Sequence, residues 1–360
     1  MSFSARTIQL IDQLIADPVG SYPRATVACF DPTCGELPRR RLDPKRTVLF
    51  LERLAAVPVP AVLIAASTGN GHGRTVEELR EWFACAASAE LQTTVKIALL
   101  RPEDGLAANE RLLDQLVELN YPIVFFRPGR DLGVQADDAA VVSQLRPFIQ
   151  AAAERRFAIG VYSIPDVSGV PLSAAATAQL LATSGGDRIV AAKITEADFE
   201  QSTARYLSHP ALTCLKIVQG WDPHLAQALQ IGSRFDSRGR QRCGVTSGPM
   251  SFAVFQYQHL LAAADQGQWE EVAASQAAVT RLFAAMQDDP RRFADLQRAK
   301  WIMGLGQPLT GSIHAEQVAR VFTALQNLPR RSDQQRLAQS LDLMQDGPFH
   351  QELVQLISRP

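Results

Sequence analysis

A lysine closes an apolar run in the stretch Arg188-Ile-Val-Ala-Ala-Lys193-Ile-Thr-Glu-Ala-Asp198. Four apolar residues, Ile189 to Ala192, flanked by polar ones read as a buried strand. An ammonium at the end of such a strand is costly to desolvate. Burial lowers the pKa of a lysine, and the neutral amine attacks a ketone to form a Schiff base. The alternative is a side chain that carries its charge back out to solvent. Of 36 Lys plus Arg residues only five are lysines: Lys45, Lys96, Lys193, Lys216 and Lys300. Arginine supplies the ordinary surface charge, so a lysine in a strand stands out. Lys96, Lys193 and Lys216 all lie in strand-like runs, and composition does not choose among them.

Four other run ends carry polar groups. Ser67-Thr68-Gly69 offers two hydroxyls and backbone N–H groups beside a glycine, all donors to a carboxylate. The same residues also suit a helix N-cap. Gly69-Asn-Gly-His-Gly73 lies between a strand and a helix, as a phosphate loop would, but has neither the G-x-G-x-x-G spacing nor a G-K-[ST] ending. Tyr162 reads either as a core residue with a bonded hydroxyl or as a proton shuttle beside an amine. Ile164-Pro165 after it is a rigid turn. Gln219-Gly220-Trp221-Asp222 and Gly244-Val245-Thr246-Ser247 complete the set.

These stretches sit at regular intervals, which defines the elements that must position them. Strands are expected at Ala25–Phe30, Ala61–Ala66, Val95–Leu100, Ile123–Phe126, Ala158–Tyr162, Ile189–Lys193, Cys214–Val218 and Cys243–Thr246. Helical periods fall between them at 45–55, 75–90, 106–119, 137–154, 173–183, 197–206 and 222–231. Eight strands, each followed by a helix, is the count of an α/β protein with a (β/α)8 TIM barrel. Polar groups at strand C-termini would then converge on one face. An open doubly wound sheet competes, but Asp31-Pro-Thr-Cys-Gly35 after the first strand is not a nucleotide loop. A short amphipathic N-terminal helix over 4–16 ends at Pro18 and Gly20. After residue 250 only helical patterns remain, at 252–265, 268–286, 290–303, 314–326, 333–344 and 348–357. The expected organisation is an N-terminal helical extension (1–20), the barrel (21–265) and additional C-terminal helices (266–360).

Composition narrows the function classes. The 360 residues carry a net charge of -1, which gives no basic field for nucleic acid or an anionic membrane. No apolar run reaches transmembrane length, and the N-terminus lacks a signal peptide's apolar block. The five cysteines are odd in number and scattered, as reduced thiols in a cytoplasmic protein would be. The six histidines make no zinc-ligand spacing with them, so no metal site is expected.

Ser67-Thr68-Gly69, Tyr162-Ser-Ile-Pro-Asp-Val-Ser-Gly169, Ala192-Lys193 and Gly244-Val-Thr246 follow the order and approximate spacing of motifs in one family. Over residues 22–310 the chain resembles the dihydrodipicolinate synthase / N-acetylneuraminate lyase family. Ile164-Pro-Asp-Val-Ser-Gly-Val170 is more similar to the sialic acid lyase branch. The resemblance implies a homo-oligomeric barrel, dimer or tetramer, in which a lysine forms a Schiff base with pyruvate or another 2-oxo acid. It makes Lys193 the Schiff-base lysine and Tyr162 the proton shuttle. Ser67 and Thr68 would hold the 2-oxo acid carboxylate, with Ser67 also in the proton relay, and Gly69, Val245 and Thr246 would join them as substrate-binding positions. The chain departs from the family at Asn70, where glutamate is usual, and in Phe125-Phe-Arg-Pro-Gly-Arg130, which lacks the second tyrosine of many members. Asp166-Val167-Ser168 stands where the synthase branch has an arginine, so a standard dihydrodipicolinate synthase is not expected. The expected activity is a lyase or aldolase joining or cleaving a 2-oxo acid and an aldehyde, with no cofactor. A dehydratase of a 2-oxo-3-deoxy sugar acid and a non-catalytic 2-oxo acid-binding protein are the alternatives.

Overall fold

The computed structural model describes residues 2–286 and 296–358. Eight parallel strands close into a barrel: β1 (Ala25–Ala28), β2 (Ala61–Ile64), β3 (Val95–Leu100), β4 (Ile123–Phe126), β5 (Ala158–Ser163), β6 (Ile189–Ile194), β7 (Lys216–Gln219) and β8 (Cys243–Ser247). Each pairs with its neighbours in sequence, and β8 closes on β1 through Ala25–Val245 and Thr26–Thr246. The (β/α)8 TIM barrel is therefore the fold, and the open sheet is excluded. Seven of the eight strands are buried along their whole length and the eighth, β3, on all but its first two residues. A parallel sheet covered by helices on one face and filled by its own side chains on the other produces that pattern.

Several expected boundaries move: the first and second strands end two residues early, at Ala28 and Ile64, and the helix expected over 222–231 begins at Leu225. The seventh strand begins at Lys216, because Pro210–Leu212 forms a short turn that the Leu215 amide closes onto the Leu212 carbonyl at 3.0 Å. The helix expected over 197–206 forms only at Thr203–Ser208. Its would-be first turn is spent instead on a loop in which the Ser202 amide reaches the Asp198 carbonyl at 3.1 Å.

The barrel interior is filled by complementary sizes. The ring of Phe125 on β4 occupies the space a side chain at Gly160 on β5 would need. The bottom is closed by the N-terminal helix Ala5–Ala16, whose flanking Phe3 packs edge-on against Phe157 at 5.1 Å. C-terminal to the barrel come Trp269–Ala284, Gln297–Ile302, Ala315–Gln326, Arg331–Leu341 and His350–Ser358. Of the helical pattern expected over 290–303, residues 290–295 lie outside the described part. Among the described residues, no helix is long and apolar enough to cross a membrane.

Candidate active site

Barrel register decides which strand residues meet. Lys193 on β6 lies opposite Tyr162 on β5 and Val218 on β7, so all three point to the same side of the sheet. The lysine is 4% exposed, and its Nζ stands 4.0 Å above the Tyr162 ring centroid. Burial pulls its pKa down to about 7, against the opposing pull of Asp222. Gly220 lets the lysine arm pass, since a Cβ there would lie 2.9 Å from Lys193 Cε.

The other strand lysines are placed differently. Lys216 sits at the opposite end of the barrel, donating to the carbonyls of Val19 at 3.2 Å and Gln241 at 2.6 Å. Lys96 donates to the Leu119 carbonyl at 2.8 Å. Lys300 is ion-paired to Asp31 at 3.1 Å. Among the buried lysines of the described residues, Lys193 alone has an ammonium with no hydrogen-bonded oxygen and lies at a strand's C-terminal end.

The Tyr162 hydroxyl donates to Thr195 Oγ1 at 3.1 Å. Burial raises the phenol pKa, and the Thr195 bond and the nearby Arg127 charge only partly offset it, so the phenol keeps its proton at neutral pH. Ser67 is not its partner: Ser67 Oγ is buried without a hydrogen-bond partner. Sequence reading missed Thr195, although it lies two residues beyond Lys193 and so on the same face, a signal that strand alternation offers.

Ser67, Thr68 and Gly69 form a tight turn after β2. Ala65 and Asn70 on either side hold left-handed conformations, φ 63° and 54°. A Cβ at Gly71 would run into the Ala65 carbonyl. The amides of Gly69 and Asn70 close the turn onto Ala66 and Ser67 carbonyls at 3.1 and 3.0 Å. The free donors of this turn are therefore side-chain hydroxyls more than the Gly69 N–H. Thr68 lies over Gly248 at the end of β8, and its carbonyl accepts from Gln297 Nε2 at 2.9 Å. Gln297, another residue the sequence did not single out, comes from the appended helices.

On β8, Gly244 lies opposite Val218 and so faces inward with Lys193. Thr246 then faces inward as well, and Val245 turns toward the helices. Val245 can thus meet a ligand only through its backbone. Beyond β7, Asp222 is buried and accepts hydrogen bonds from the hydroxyls of Ser247 and Tyr257 on the same oxygen. Burial raises its pKa to about 6, against the two hydroxyls and Lys193. Arg127, opposite Tyr162 beyond β4, is 1% exposed and paired with Glu103, while Arg130 is exposed. His72 is pulled down to about 4, first by burial and then by Arg130, Arg127 and Arg101. Among the described residues no group of three or more His, Cys, Asp or Glu is placed to hold a metal ion.

This mouth carries an amine whose pKa burial lowers to about 7, a phenol that keeps its proton and, on the turn after β2, the hydroxyls of Ser67 and Thr68. No protein-family model matches the chain, and no curated protein matches it in sequence. Solved structures do match. A variant of 2-keto-3-deoxygluconate aldolase from Sulfolobus solfataricus superimposes with a TM-score of 0.69 at 12% identity, covering 84% of this chain and 95% of that one. YagE of Escherichia coli K12, of the dihydrodipicolinic acid synthase family and solved with pyruvate, gives 0.70 at 16% identity, covering 85% and 98%. The sialic acid aldolase of Ruminococcus gnavus gives 0.70 at 14% identity, covering 89% and 98%. The chain shares the fold of these proteins. They come from the family that its motifs resemble.

Proposed function

We propose that the protein is a Schiff-base-forming lyase or aldolase of the dihydrodipicolinate synthase / N-acetylneuraminate lyase type, acting on pyruvate or a related 2-oxo acid and an aldehyde. The observation that carries this reading is Lys193, a buried lysine with a pKa near 7 that is free of hydrogen-bonded oxygen and stands over Tyr162. A good fraction of such a lysine is neutral at physiological pH and nucleophilic. The fold and the solved lyases and aldolases that share it support the reading. On it, residues 21–265 are the catalytic barrel, flanked by the extension 1–20 and the helical segment 266–360.

The chemistry follows from the groups present. The carboxylate of the 2-oxo acid binds Ser67 Oγ, which lacks a partner in the protein, and Thr68, with Thr246 on the facing wall. The Lys193 amine adds to the C2 carbonyl, and loss of water leaves a protonated imine. That cation draws electrons from the adjacent carbon, so the C3–C4 bond breaks to an enamine or forms from one. Tyr162 carries the proton to and from the reacting oxygen, with Thr195 accepting its hydrogen bond. Neither metal nor cofactor is needed for these steps.

Borohydride reduction in the presence of pyruvate tests the reading. The expected result is a three-carbon adduct on the Lys193 peptide, absent in Lys193→Arg, whose guanidinium stays protonated. An adduct on Lys216 or Lys96, or none at all, overturns it. With a 2-oxo-3-deoxy sugar acid, release of pyruvate marks an aldolase, whereas loss of water alone marks the dehydratase.

A further inference from the structure

The proton shuttle proposed above depends on where one phenol points. Tyr162 and Ser163 end β5, and their side chains leave the sheet on opposite faces. Tyr162 faces the mouth and donates to Thr195 Oγ1 at 3.1 Å. Ser163 is fully buried, turns toward the helices and donates to Glu196 Oε1. Between these two contacts the Thr195 amide donates to the Ser163 carbonyl at 2.9 Å. Two consecutive residues after β6 are thus joined to two consecutive residues of β5, once on each face of the sheet and once through the backbone.

We infer that Glu196 is a positioning residue for Tyr162, acting through Ser163 to fix the Tyr162–Thr195 hydrogen bond at the mouth. The inference rests on the Schiff-base reading. A serine hydroxyl has one proton to give and two lone pairs that receive. Glu196 takes the proton, which leaves the lone pairs to the Leu172 amide at 2.8 Å. The Leu172 carbonyl accepts from the Tyr206 hydroxyl, so both backbone groups of Leu172 are held. Within the loop, Ser168 Oγ lies 2.9 Å from the Ile164 carbonyl and 2.7 Å from that of Val170. The loop after Tyr162 therefore starts at Ser163 and is tied back to it, and Glu196 sets the direction of the tie.

The placement of Glu196 runs against its own solvation. The side chain is half-buried. Burial raises its pKa, the Ser163 hydrogen bond opposes the rise, and Asp198 adds to it. Holding a carboxylate there costs stability, and what it orders is the Ser163 hydroxyl.

Rapid mixing with pyruvate, quenched by borohydride at successive times, reads the rate of imine formation at Lys193. At long times it reads the half-saturating pyruvate concentration. Amine, ketone and one proton give the protonated imine and water, and Tyr162 delivers the proton to the departing C2 oxygen. A shuttle changes that rate and not the equilibrium. Glu196→Ala should slow capture about ten- to a hundredfold, as displacement of a reacting group does, with half-saturation unchanged. Glu196→Gln keeps an oxygen for Ser163 and should restore most of the rate. Ser163→Ala should be as slow as Glu196→Ala and the double variant no slower, because residues that act as a unit are not additive. Ser163→Ala serves alone if Glu196→Ala does not fold. A wild-type capture rate in either folded alanine variant overturns the inference, and so does a glutamine variant as slow as the alanine one. A shift in half-saturation with the rate unchanged overturns it too. A wild-type protein that pyruvate never labels overturns the Schiff-base reading instead. Hydrogen exchange at the Leu172 amide then still decides whether Glu196 orders the loop: faster exchange in Glu196→Ala supports it, and equal exchange refutes it.

Discussion

Each proposed role at the residue scale rests on one environment, and each environment gives a measurable consequence. Tyr162 keeps its proton because burial raises its pKa, so it serves as donor first and regains the proton from the substrate. Tyr162→Phe should lower turnover by about two to four orders of magnitude. The melting temperature should hardly change, since only the hydrogen bond to Thr195 is lost. A variant that melts early yet retains normal turnover would make Tyr162 a core residue only. Lys193 gives a pH-dependent prediction. Its folded pKa is about 7 against 10.5 for the free side chain, so between those values the unfolded chain binds more protons and stability rises with pH. The cost of burying the lysine is complete below pH 7 and vanishes above 10.5. Lys193→Met should therefore stabilise the protein by roughly 1–3 kcal/mol at pH 7. Thermal melts at pH 7 and pH 10 should show the gain at the first and little at the second. Substrate choice follows from Asp166, exposed where a carboxylate-binding arginine is absent, and from Arg127, already held by Glu103. A lost arginine–carboxylate pair forfeits about 1.5–3 kcal/mol, so aspartate semialdehyde should be used roughly ten- to a hundredfold less well than neutral or hydroxylated aldehydes. A kcat/KM for it above every neutral aldehyde would assign the exposed Arg130 as a substitute clamp.

The turn after β2 is the element on which the proposed carboxylate site depends. Two non-glycine residues in left-handed conformations, Ala65 and Asn70, bracket it. Such strain persists only where surrounding contacts enforce it. The contact that closes it is Gln297, which anchors the Thr68 carbonyl while its own Oε1 remains buried without a partner. Gln297→Ala leaves that carbonyl unsatisfied and frees the turn. The expected outcome in steady-state kinetics is a KM for the 2-oxo acid raised about tenfold with a smaller change in kcat, the pattern of lost ground-state binding. Gly71→Ala attacks the same turn from beneath by forcing a methyl group into the Ala65 carbonyl. It should destabilise the protein by about 2–3 kcal/mol, as overpacking does, readable in urea denaturation.

Across the whole molecule, the C-terminal helices and the barrel mouth are joined through charge. Asp31, just beyond β1, is fully buried with Lys300 from Gln297–Ile302 and Arg74 from the loop after the β2 turn, and Asn70 lies 3.4 Å away. Burial lowers Lys300 to about 8, with Asp31 opposing. Removing one partner from a buried ionic cluster leaves an uncompensated charge. Lys300→Met should thus cost about 3 kcal/mol, somewhat below the loss for an isolated pair because Arg74 still faces Asp31. Equilibrium unfolding of the variant should show that loss, and unchanged stability would mean that the helices are held by apolar packing alone.

The strands were legible in the sequence because a buried parallel strand is a local signal, a short run of β-branched and aliphatic residues bounded by turn formers. Eight such runs alternating with helical periods were enough for the barrel, and the polar residues ending those runs were visible for the same reason. The sequence by itself did not distinguish Lys193 from Lys216 and Lys96, since all three occupy similar apolar runs. Only closure of the barrel set one at the mouth beside Tyr162 and another at the bottom under the carbonyls of Val19 and Gln241. Thr195 beside Tyr162 was offered by strand alternation and overlooked, whereas Tyr257 on Asp222 and Gln297 on Thr68 were invisible for a related reason. The last two pairs are 35 and 229 residues apart, and their meeting depends on register and helix docking. A hydrophobic pattern specifies which face of an element is buried. It does not specify which distant polar group that face will meet, and this is what the tertiary structure decided.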